Sequence, residues 1–282
     1  MNFADIPDEY ASYEKARIVV LPVPYDATST WIKGADKGPD AIIIAASNME
    51  LYDIETESQV FEKGIFLARP IHQKEDPKKM VNAVYEKVKH YIDEEKFIVL
   101  LGGEHSVTIG SVIAHAERFN ELCVLQLDAH TDLRHEYLNS IYNHACVMAR
   151  VRELCPVIQV GIRSMDISET PLLVRENLFL AENIVNRNDW MDKVVGRLSK
   201  NVYITIDLDV FDPSIMPSTG TPEPGGLLWY EVVDLLRKVA AKRNIVGFDV
   251  VELCPSEVNK APDFLAAKLI YKLLSYKYCL TS

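Results

Sequence analysis

The chain has 282 residues, of which 48% are hydrophobic, and a formal net charge of −11. This length and apolar content suit one α/β domain over residues 1–282, with a substantial buried core. Lysine and arginine are scattered through this acidic sequence, which excludes the basic surface that nucleic-acid binding requires.

The N-terminal segment and the cysteines indicate where the protein resides. Residues 1–15 lack the basic and apolar regions of a signal peptide, and no apolar run reaches the ~18 residues that a membrane helix needs. The five cysteines are far apart and include no C-x-x-C pair, which argues against disulfides and a thiolate zinc site. We therefore expect a cytoplasmic protein whose partners are small molecules or other protein chains, with no membrane and no nucleic acid among them.

Short apolar runs alternate with amphipathic segments along the chain. The apolar runs are rich in β-branched residues and predict eight strands, at residues 16–23, 64–70, 96–103, 122–130, 156–163, 177–184, 201–210 and 244–253. The amphipathic segments predict helices, at about residues 38–51, 77–95, 106–118, 141–153, 189–199, 229–241 and 262–276.

This alternation predicts the fold class. The strands are apolar at both alternations, which is typical of strands covered on both faces, and a helix between two strands indicates a parallel crossover. The expected architecture is an α/β, three-layer αβα sandwich with a mostly parallel sheet of about eight strands. The stretch 213–226, rich in proline and glycine, predicts a long ordered loop with a function.

Polar residues cluster where four of the predicted strands end. In open α/β sheets, ligands bind outside the carboxyl ends of the strands, so these positions are the main candidates for a functional site. The four groups are Glu104 with His105, Asp128 with His130 and Asp132, Asp207 with Asp209, and Asp249 with Glu252.

The spacing within these groups predicts a metal site. Residues i and i+2 of a strand share a face, so Asp128, His130 and Asp132 can point together, as can Asp207 and Asp209. Carboxylates held side by side repel one another, and divalent cations remove that conflict.

The composition of the group indicates which metal and how many ions. Any one of these residues alone is commonly a cap or a turn former, but four strand ends of this kind together favour metal binding. Two imidazoles and four carboxylates without thiolates suit Mn²⁺ better than structural zinc, and the number of ligands indicates two ions. The predicted metal ligands are His105, Asp128, His130, Asp132, Asp207 and Asp209.

Four long motifs surround these strand ends, and they are LLGGEHS, LDAHTD, TIDLDVFDPSIMPSTGTPEPGG and GFDVVELCP. They resemble the signatures of the ureohydrolase family, which contains arginases and agmatinases. The resemblance implies an arginase-like fold, two Mn²⁺ per subunit and a homo-oligomer, either a trimer or a hexamer. It also implies that Asp128 and Asp207 bridge the ions. One ion would be held by His105, Asp128, Asp132 and Asp207, and the other by His130, Asp128, Asp207 and Asp209.

The resemblance further implies a mechanism. Two cations that share a water molecule lower its pKa toward neutrality, so that a metal-bridging hydroxide can attack a guanidinium carbon and release urea. Asp132 would orient this hydroxide, Glu252 would hold the guanidinium group, and His144 would act as general acid and as a substrate contact. His144 is followed by Ala145, where many relatives have glycine.

The remaining motif positions bear on the substrate. Thr221 and Asp166 match family residues that contact it, Asp166 at the end far from the reaction. Arginases place amide and hydroxyl residues after D-x-H-x-D to hold an α-carboxylate, whereas DLRHEYLNSIYNHA resembles the agmatinase branch. The predicted reaction is therefore hydrolysis of agmatine to putrescine and urea, a step of polyamine biosynthesis.

Several alternatives stay open at this point. Arg134 could pair with a carboxylate-bearing guanidino acid such as guanidinobutyrate, or it could be a solvated loop charge. Arginine and an aminopropyl-agmatine are further substrate alternatives, and the role of His135 is open. A metal-dependent deacetylase-like protein and a non-catalytic binding protein remain as other classes, although the sequence has no adjacent histidine pair for the former.

Overall fold

The computed structural model describes residues 2–73, 76–187 and 189–280. Eight strands form one sheet in the order β2-β1-β3-β8-β7-β4-β5-β6, and each neighbouring pair is parallel. The predicted α/β class with a sheet of about eight strands is therefore confirmed. The strands are β1 (Ile18–Val23), β2 (Ile65–Leu67), β3 (Phe97–Gly102), β4 (Leu122–Leu127), β5 (Val157–Ile162), β6 (Leu178–Leu180), β7 (Asn201–Asp207) and β8 (Asn244–Val251).

The helices that connect these strands cover both faces of the sheet. None of those in the described ranges combines the length and apolarity needed to cross a membrane. They are α1 (Gly38–Ala46), α2 (Pro77–Asp93), α3 (Val107–Arg118), α4 (Val147–Val151), α5 (Ala181–Ile184), α6 (Trp190–Arg197), α7 (Trp229–Lys242) and α8 (Ala261–Cys279).

Several predicted elements are shorter than expected. The helix at 38–51 ends at Ala46, where Ser47 and Asn48 turn their side chains back to helix carbonyls. The helix at 141–153 is a 3₁₀ turn, His144–Cys146, followed by the short α4. The strand at 177–184 stops at Leu180 and continues as α5, because an apolar run alone does not distinguish a short strand from a buried helical turn.

Two hydrophobic cores, one on each face of the sheet, make the structure a three-layer sandwich. Ile18 and Val20 of β1 pack in the core that contains α1, α6, α7 and α8, whereas Val19 and Leu21 pack in the core that contains α2, α3 and α4. Successive side chains of a strand point to opposite faces, so each central strand contributes to both cores. The central strands are therefore packed on both faces, which fixes the positions of their ends and of the polar residues that follow them.

Close packing at the end of β3 brings the loop after β1 against it. The Gly103 N–H donates to the Val23 carbonyl at 2.9 Å, and the Glu104 N–H donates to the Tyr25 carbonyl at 2.8 Å. A Cβ at position 103 would collide with the Tyr25 carbonyl, so this approach requires glycine. The stretch 213–226 is a loop, as predicted. The Asp212 carboxylate organises it by accepting N–H bonds from Ser214, Gly225 and Gly226 at 3.0–3.2 Å.

Candidate active site

The four polar strand ends predicted from the sequence lie next to one another. Their strands, β3, β8, β7 and β4, are consecutive neighbours in the middle of the sheet. All four point the same way, so their carboxyl ends share one edge. The eight-stranded order thus brings together residues that are far apart in the sequence, such as His105 and Glu252, which are 147 positions apart.

The side chains converge for a different reason from the one that the sequence suggested. Alternation along a strand was expected to align them, but β4 ends at Leu127, before the D-x-H-x-D motif begins. Asp132 has a φ of 51°. Asp209 lies in a 3₁₀ turn, and the Asp209 N–H donates to the Asp207 carboxylate at 2.9 Å. The turns that follow the strands therefore direct these side chains toward one another, and the alternation of side chains along a strand does not.

One cluster surrounds the ring of His105. Its Nδ1 lies 3.0 Å from Asp132 Oδ2, 3.2 Å from Asp128 Oδ2 and 3.4 Å from Asp207 Oδ2. His105, Asp128 and Asp132 are close enough together to hold a metal ion. Asp207 lies at the same ring nitrogen.

A second cluster lies at His130 and shares a residue with the first. Its Nδ1 lies 2.9 Å from Asp209 Oδ2 and 3.6 Å from Asp128 Oδ1, and these three residues form the second candidate metal group. Asp128 presents Oδ2 to His105 and Oδ1 to His130. One buried carboxylate thus faces both clusters, which is the arrangement that a residue bridging two ions needs.

The tautomer of His105 fits a metal ligand. The Thr205 hydroxyl donates to Asp249 Oδ1 at 2.6 Å, so it can only accept from His105 Nε2, which is 2.9 Å away. In the neutral ring the proton is therefore on Nε2, and the lone pair of Nδ1 points at the carboxylates. That buried Nδ1 has no hydrogen-bond partner among the described residues, as expected of an atom built to bind a cation.

The electrostatics of the clusters also call for cations. Burial raises the pKa of Asp207 well above its usual value, and the charges of Asp209 and Asp128 raise it further. Burial and the Asp128 charge likewise raise the pKa of Asp132 to about 6. Burial would lower the pKa of His105, but its three carboxylate neighbours outweigh it and raise the pKa well above the ordinary value. Divalent cations would neutralise these carboxylates without bound protons.

A cavity of about 290 Å³ opens above the clusters. Asp128 is fully buried beneath it. Within the described chain, the other predicted site residues line it. They are His105, His130, Asp132, His144, Asp166, Asp207, Asp209, Thr221 and Glu252.

Glu252 and His144 both line the cavity. Glu252 follows β8 with a φ of 66°, and its Oε1 accepts the His105 N–H at 2.7 Å, which leaves Oε2 free of that bond. Burial raises the pKa of Glu252 well above its usual value, with the Glu104 charge adding to this effect. His144 begins the 3₁₀ turn before α4, and burial lowers its pKa to about 4.

Comparison with known proteins identifies the family. The model of the arginase family matches residues 16–275. The chain belongs to the arginase family. It is therefore a hydrolase that acts on amidino C–N bonds, in a family that depends on a binuclear metal centre, and the deacetylase-like and non-catalytic alternatives fall away.

Individual relatives of this arginase-family hydrolase cover nearly its whole length. An N(1)-aminopropylagmatine ureohydrolase of Thermus thermophilus is 40% identical over 95% of this chain and 92% of its own. An agmatinase of Pyrococcus horikoshii is 30% identical over 92% of this chain and 91% of its own. The crystal structure of agmatine ureohydrolase of Thermoplasma volcanium superimposes with a TM-score of 0.88 at 31% identity, covering 98% of this chain and 95% of that one.

Arg134 and His135, whose roles were open, have different surroundings in this arginase-family chain. Arg134 lines the cavity, with its guanidinium 4.4 Å from the Tyr137 ring centre and 3.5 Å from Asp166 Oδ2. Arg134 is thus a half-buried cation with an aromatic ring and a carboxylate beside it. His135 Nδ1 lies 3.3 Å from the Arg150 guanidinium instead.

Two residues near the clusters carried no role in the sequence analysis. Thr205, which orients His105, is a hydroxyl within an apolar strand two positions before Asp207, and that pattern could have marked it. Thr28 contacts both His144 and Glu104 from the irregular loop after β1. It has no local pattern that would mark it.

Proposed function

We propose that this arginase-family hydrolase releases urea from a guanidino group that carries a cationic polyamine tail. The two substrates are agmatine, which would give putrescine and urea, and N(1)-aminopropylagmatine. Agmatine follows from the segment after D-x-H-x-D, and the aminopropyl derivative is favoured by the 40% identical relative of that name. The observation that carries the proposal is the pair of histidine–carboxylate clusters sharing Asp128 beside Glu252 in one cavity.

Two Mn²⁺ ions are the proposed cofactors. One would be held by His105, Asp128, Asp132 and Asp207, and the other by His130, Asp128, Asp207 and Asp209. The metals would supply Lewis acidity that makes a water molecule nucleophilic near neutral pH. Support comes from the absence of thiolates in the donor set, from the shared Asp128, and from the lone pair of His105 Nδ1 that faces three carboxylates.

The protein's own side chains would do the rest of the chemistry. Asp132 would accept a hydrogen bond from the attacking water and orient it. Glu252 would hold the planar guanidinium group through its second carboxylate oxygen, since its first accepts the His105 N–H. His144 would protonate the leaving nitrogen, so that it departs as an amine rather than as an unstable amide anion.

The mouth of the cavity supports a cationic rather than an anionic tail. A carboxylate tail, as in guanidinobutyrate or arginine, would have to displace Asp166 from Arg134, a pair that lies 3.5 Å apart. A tail amine would instead meet the Asp166 carboxylate, and Thr221 offers a hydroxyl on the cavity wall. Asp166 is thus the proposed contact for the far end of the substrate.

The setting of the reaction is also proposed. We expect polyamine biosynthesis in the cytoplasm, carried out by a homo-oligomer, either a trimer or a hexamer. Sedimentation of the purified chain would measure the assembly directly.

A substrate panel tests the function. Urea release is measured with Mn²⁺ on agmatine, N(1)-aminopropylagmatine, arginine and guanidinobutyrate under identical conditions. The proposal predicts the largest kcat/KM for agmatine or its aminopropyl derivative. A larger value for arginine or guanidinobutyrate would reject the cationic tail, and no urea from any of the four with metal bound would reject the function as a whole.

A further inference from the structure

A threonine connects a buried carboxylate to the proposed general acid. The Thr28 hydroxyl lies 2.6 and 2.7 Å from the two carboxylate oxygens of Glu104, and the Thr28 N–H donates to Glu104 Oε2 at 2.7 Å. On the other side, the His144 N–H donates to the Thr28 hydroxyl oxygen at 3.0 Å, and His144 Nδ1 lies 3.3 Å from that oxygen. Thr28 is 116 residues from His144 and 76 residues from Glu104.

Counting donors and acceptors assigns the protons in this chain of contacts. The Ser106 hydroxyl, the Thr28 N–H and the Thr28 hydroxyl all approach Glu104. Burial raises the pKa of Glu104 to about 7, and these three donors match its ionised form, which only accepts. A hydroxyl has one proton and two lone pairs. Because the Thr28 proton goes to Glu104, its lone pairs accept from the His144 N–H and from His144 Nδ1–H.

We propose that Thr28, held by Glu104, is a positioning residue that keeps the resting proton of His144 on Nδ1 and fixes the orientation of the ring, so that Nε2 is the nitrogen that takes up and delivers the catalytic proton. This inference rests on the proposed role of His144 as general acid. Hydrolysis moves both protons of the attacking water to the leaving amine. Nε2 takes up one of them, which makes the ring cationic, and delivers it to the amine nitrogen while the C–N bond breaks and its electron pair passes to that nitrogen. His144 then returns to the neutral form with its proton on Nδ1.

The arrangement explains why the loop after β1 is tied so closely to β3. Gly103 allows the backbone of Tyr25 to contact the end of β3, and this contact places Thr28 within reach of Glu104. Glu104 is adjacent to His105 in the sequence. The position of His144 is therefore set, through Thr28 and Glu104, by the same strand end that carries the first metal cluster. A ring held by one side-chain oxygen and one backbone bond loses little freedom when the substrate binds.

Kinetics of Thr28 variants test the positioning role. We expect Thr28→Val to lower kcat by about 10–100-fold with little change in KM, because the acid is misplaced while guanidinium binding is intact. Thr28→Ser keeps the hydroxyl and should restore most of kcat. Thr56→Val is the matched control. The Thr56 N–H and hydroxyl donate to Asp53 at distances of 2.9 and 3.0 Å, and neither residue lines the cavity. An unchanged kcat in Thr28→Val, or a Thr28→Ser variant as impaired as Thr28→Val, would overturn the inference.

The tautomer can be observed without any substrate. Solid-state NMR of the full chain, labelled with ¹⁵N in the histidine rings, distinguishes a protonated from an unprotonated ring nitrogen. Mg²⁺ replaces the paramagnetic Mn²⁺, the pH is about 8.5 so that an ordinary imidazole is neutral, and His144→Asn assigns the signals. We expect protonated Nδ1 and unprotonated Nε2 for His144 in the wild type and in Thr28→Ser. Protonated Nε2 in the wild type would overturn the inference.

The two measurements separate this inference from the proposed function. A wild-type protein that releases no urea from the substrate panel would reject the function, while the NMR result would still decide the tautomer. A wild-type protein with normal turnover and the Nε2–H tautomer would reject the inference and leave the function standing. If Thr28→Val fails to fold, Thr28→Ser and the wild-type spectrum decide the matter.

Discussion

At the scale of single residues, the site depends most on how Asp128 is held. Gln126 donates to its Oδ2 at 2.7 Å and the His130 N–H donates to its Oδ1 at 2.6 Å, so each oxygen is oriented separately. The side chain is fully buried. A carboxylate with both oxygens fixed toward different imidazoles is preorganised to bridge two cations before either binds.

Replacing this carboxylate tests the bridge. Asp128→Asn keeps the shape but removes the charge, and we expect metal content to fall from two ions to one or none, with turnover reduced by at least about 100-fold. Elemental analysis and a urea assay on the same sample measure both effects. Asp192→Asn, at an exposed ion pair with Lys238, is the control and should keep metal and turnover. Two bound ions and normal turnover in Asp128→Asn would contradict the bridging role.

Thr205 offers a test one step further from the metals. Thr205→Val removes the acceptor that keeps the His105 proton on Nε2, so metal affinity should fall by about 10–100-fold while the fold is kept. Thr205→Ser should bind metal nearly as well as the wild type. Metal titration followed by calorimetry gives the affinities. Equal affinity in the valine and serine variants would show that the tautomer of His105 does not depend on this hydroxyl.

The sequence predicted the residue types of the site better than their conformations. The six candidate ligands could be named because acidic residues and histidines directly after apolar strands are unusual. The positive φ of Asp132 and Glu252 could not be predicted, since a non-glycine residue adopts this conformation only when surrounding contacts impose it. Thr28 was missed because its partners are distant in sequence.

At the scale of elements, the end of β3 depends on close contact with the loop after β1. Gly103 is the residue that permits this contact, because a Cβ there would collide with the Tyr25 backbone. Glu104 and His105 follow directly, so the geometry of the site and the packing of these two segments are linked. A glycine that serves packing beside a site is expected to tolerate no side chain.

Gly103→Ala tests this link. We expect the free energy of unfolding to fall by about 1–3 kcal/mol from overpacking, together with a loss of urea release. Gly196→Ala is the matched control, because Gly196 lies in α6 and a Cβ there meets nothing within 4 Å. That change should stabilise the protein by up to about 1 kcal/mol, since alanine favours a helix over glycine. Equal effects of the two substitutions in chemical denaturation would contradict the packing argument.

At the scale of the whole molecule, the central strands connect the metal clusters to stability. The clusters follow β3, β7 and β4, which lie between the two hydrophobic cores. Ions bound there would hold three strand ends together in the native state only, and a ligand that binds only the native state stabilises it. We also propose that residues 1–282 unfold as one domain, because all eight strands belong to the same sheet.

Removing the metals should therefore lower the Tm. At a free metal concentration 100 times Kd, each of the two sites contributes about 2.7 kcal/mol, so we expect chelation to lower the Tm by roughly 10 °C, with a single transition before and after. Calorimetric scans with Mn²⁺ and with a chelator measure the change. The Asp128→Asn variant should show a much smaller shift. A Tm that does not respond to chelation would contradict the proposed metal sites, and two separate transitions would contradict the single domain.

The sequence by itself determined the α/β class, the eight strands, and the histidines and aspartates that follow four of them, because periodicity and composition are local properties. Only the tertiary structure decided that β8 lies between β3 and β7, that turns rather than the pleat aim Asp132 and Asp209, and that Thr28 reaches His144. The order of strands in a sheet is set by long-range packing of helices against both faces. Hydrogen bonds between residues more than a hundred positions apart depend on that packing, because it brings their partners together.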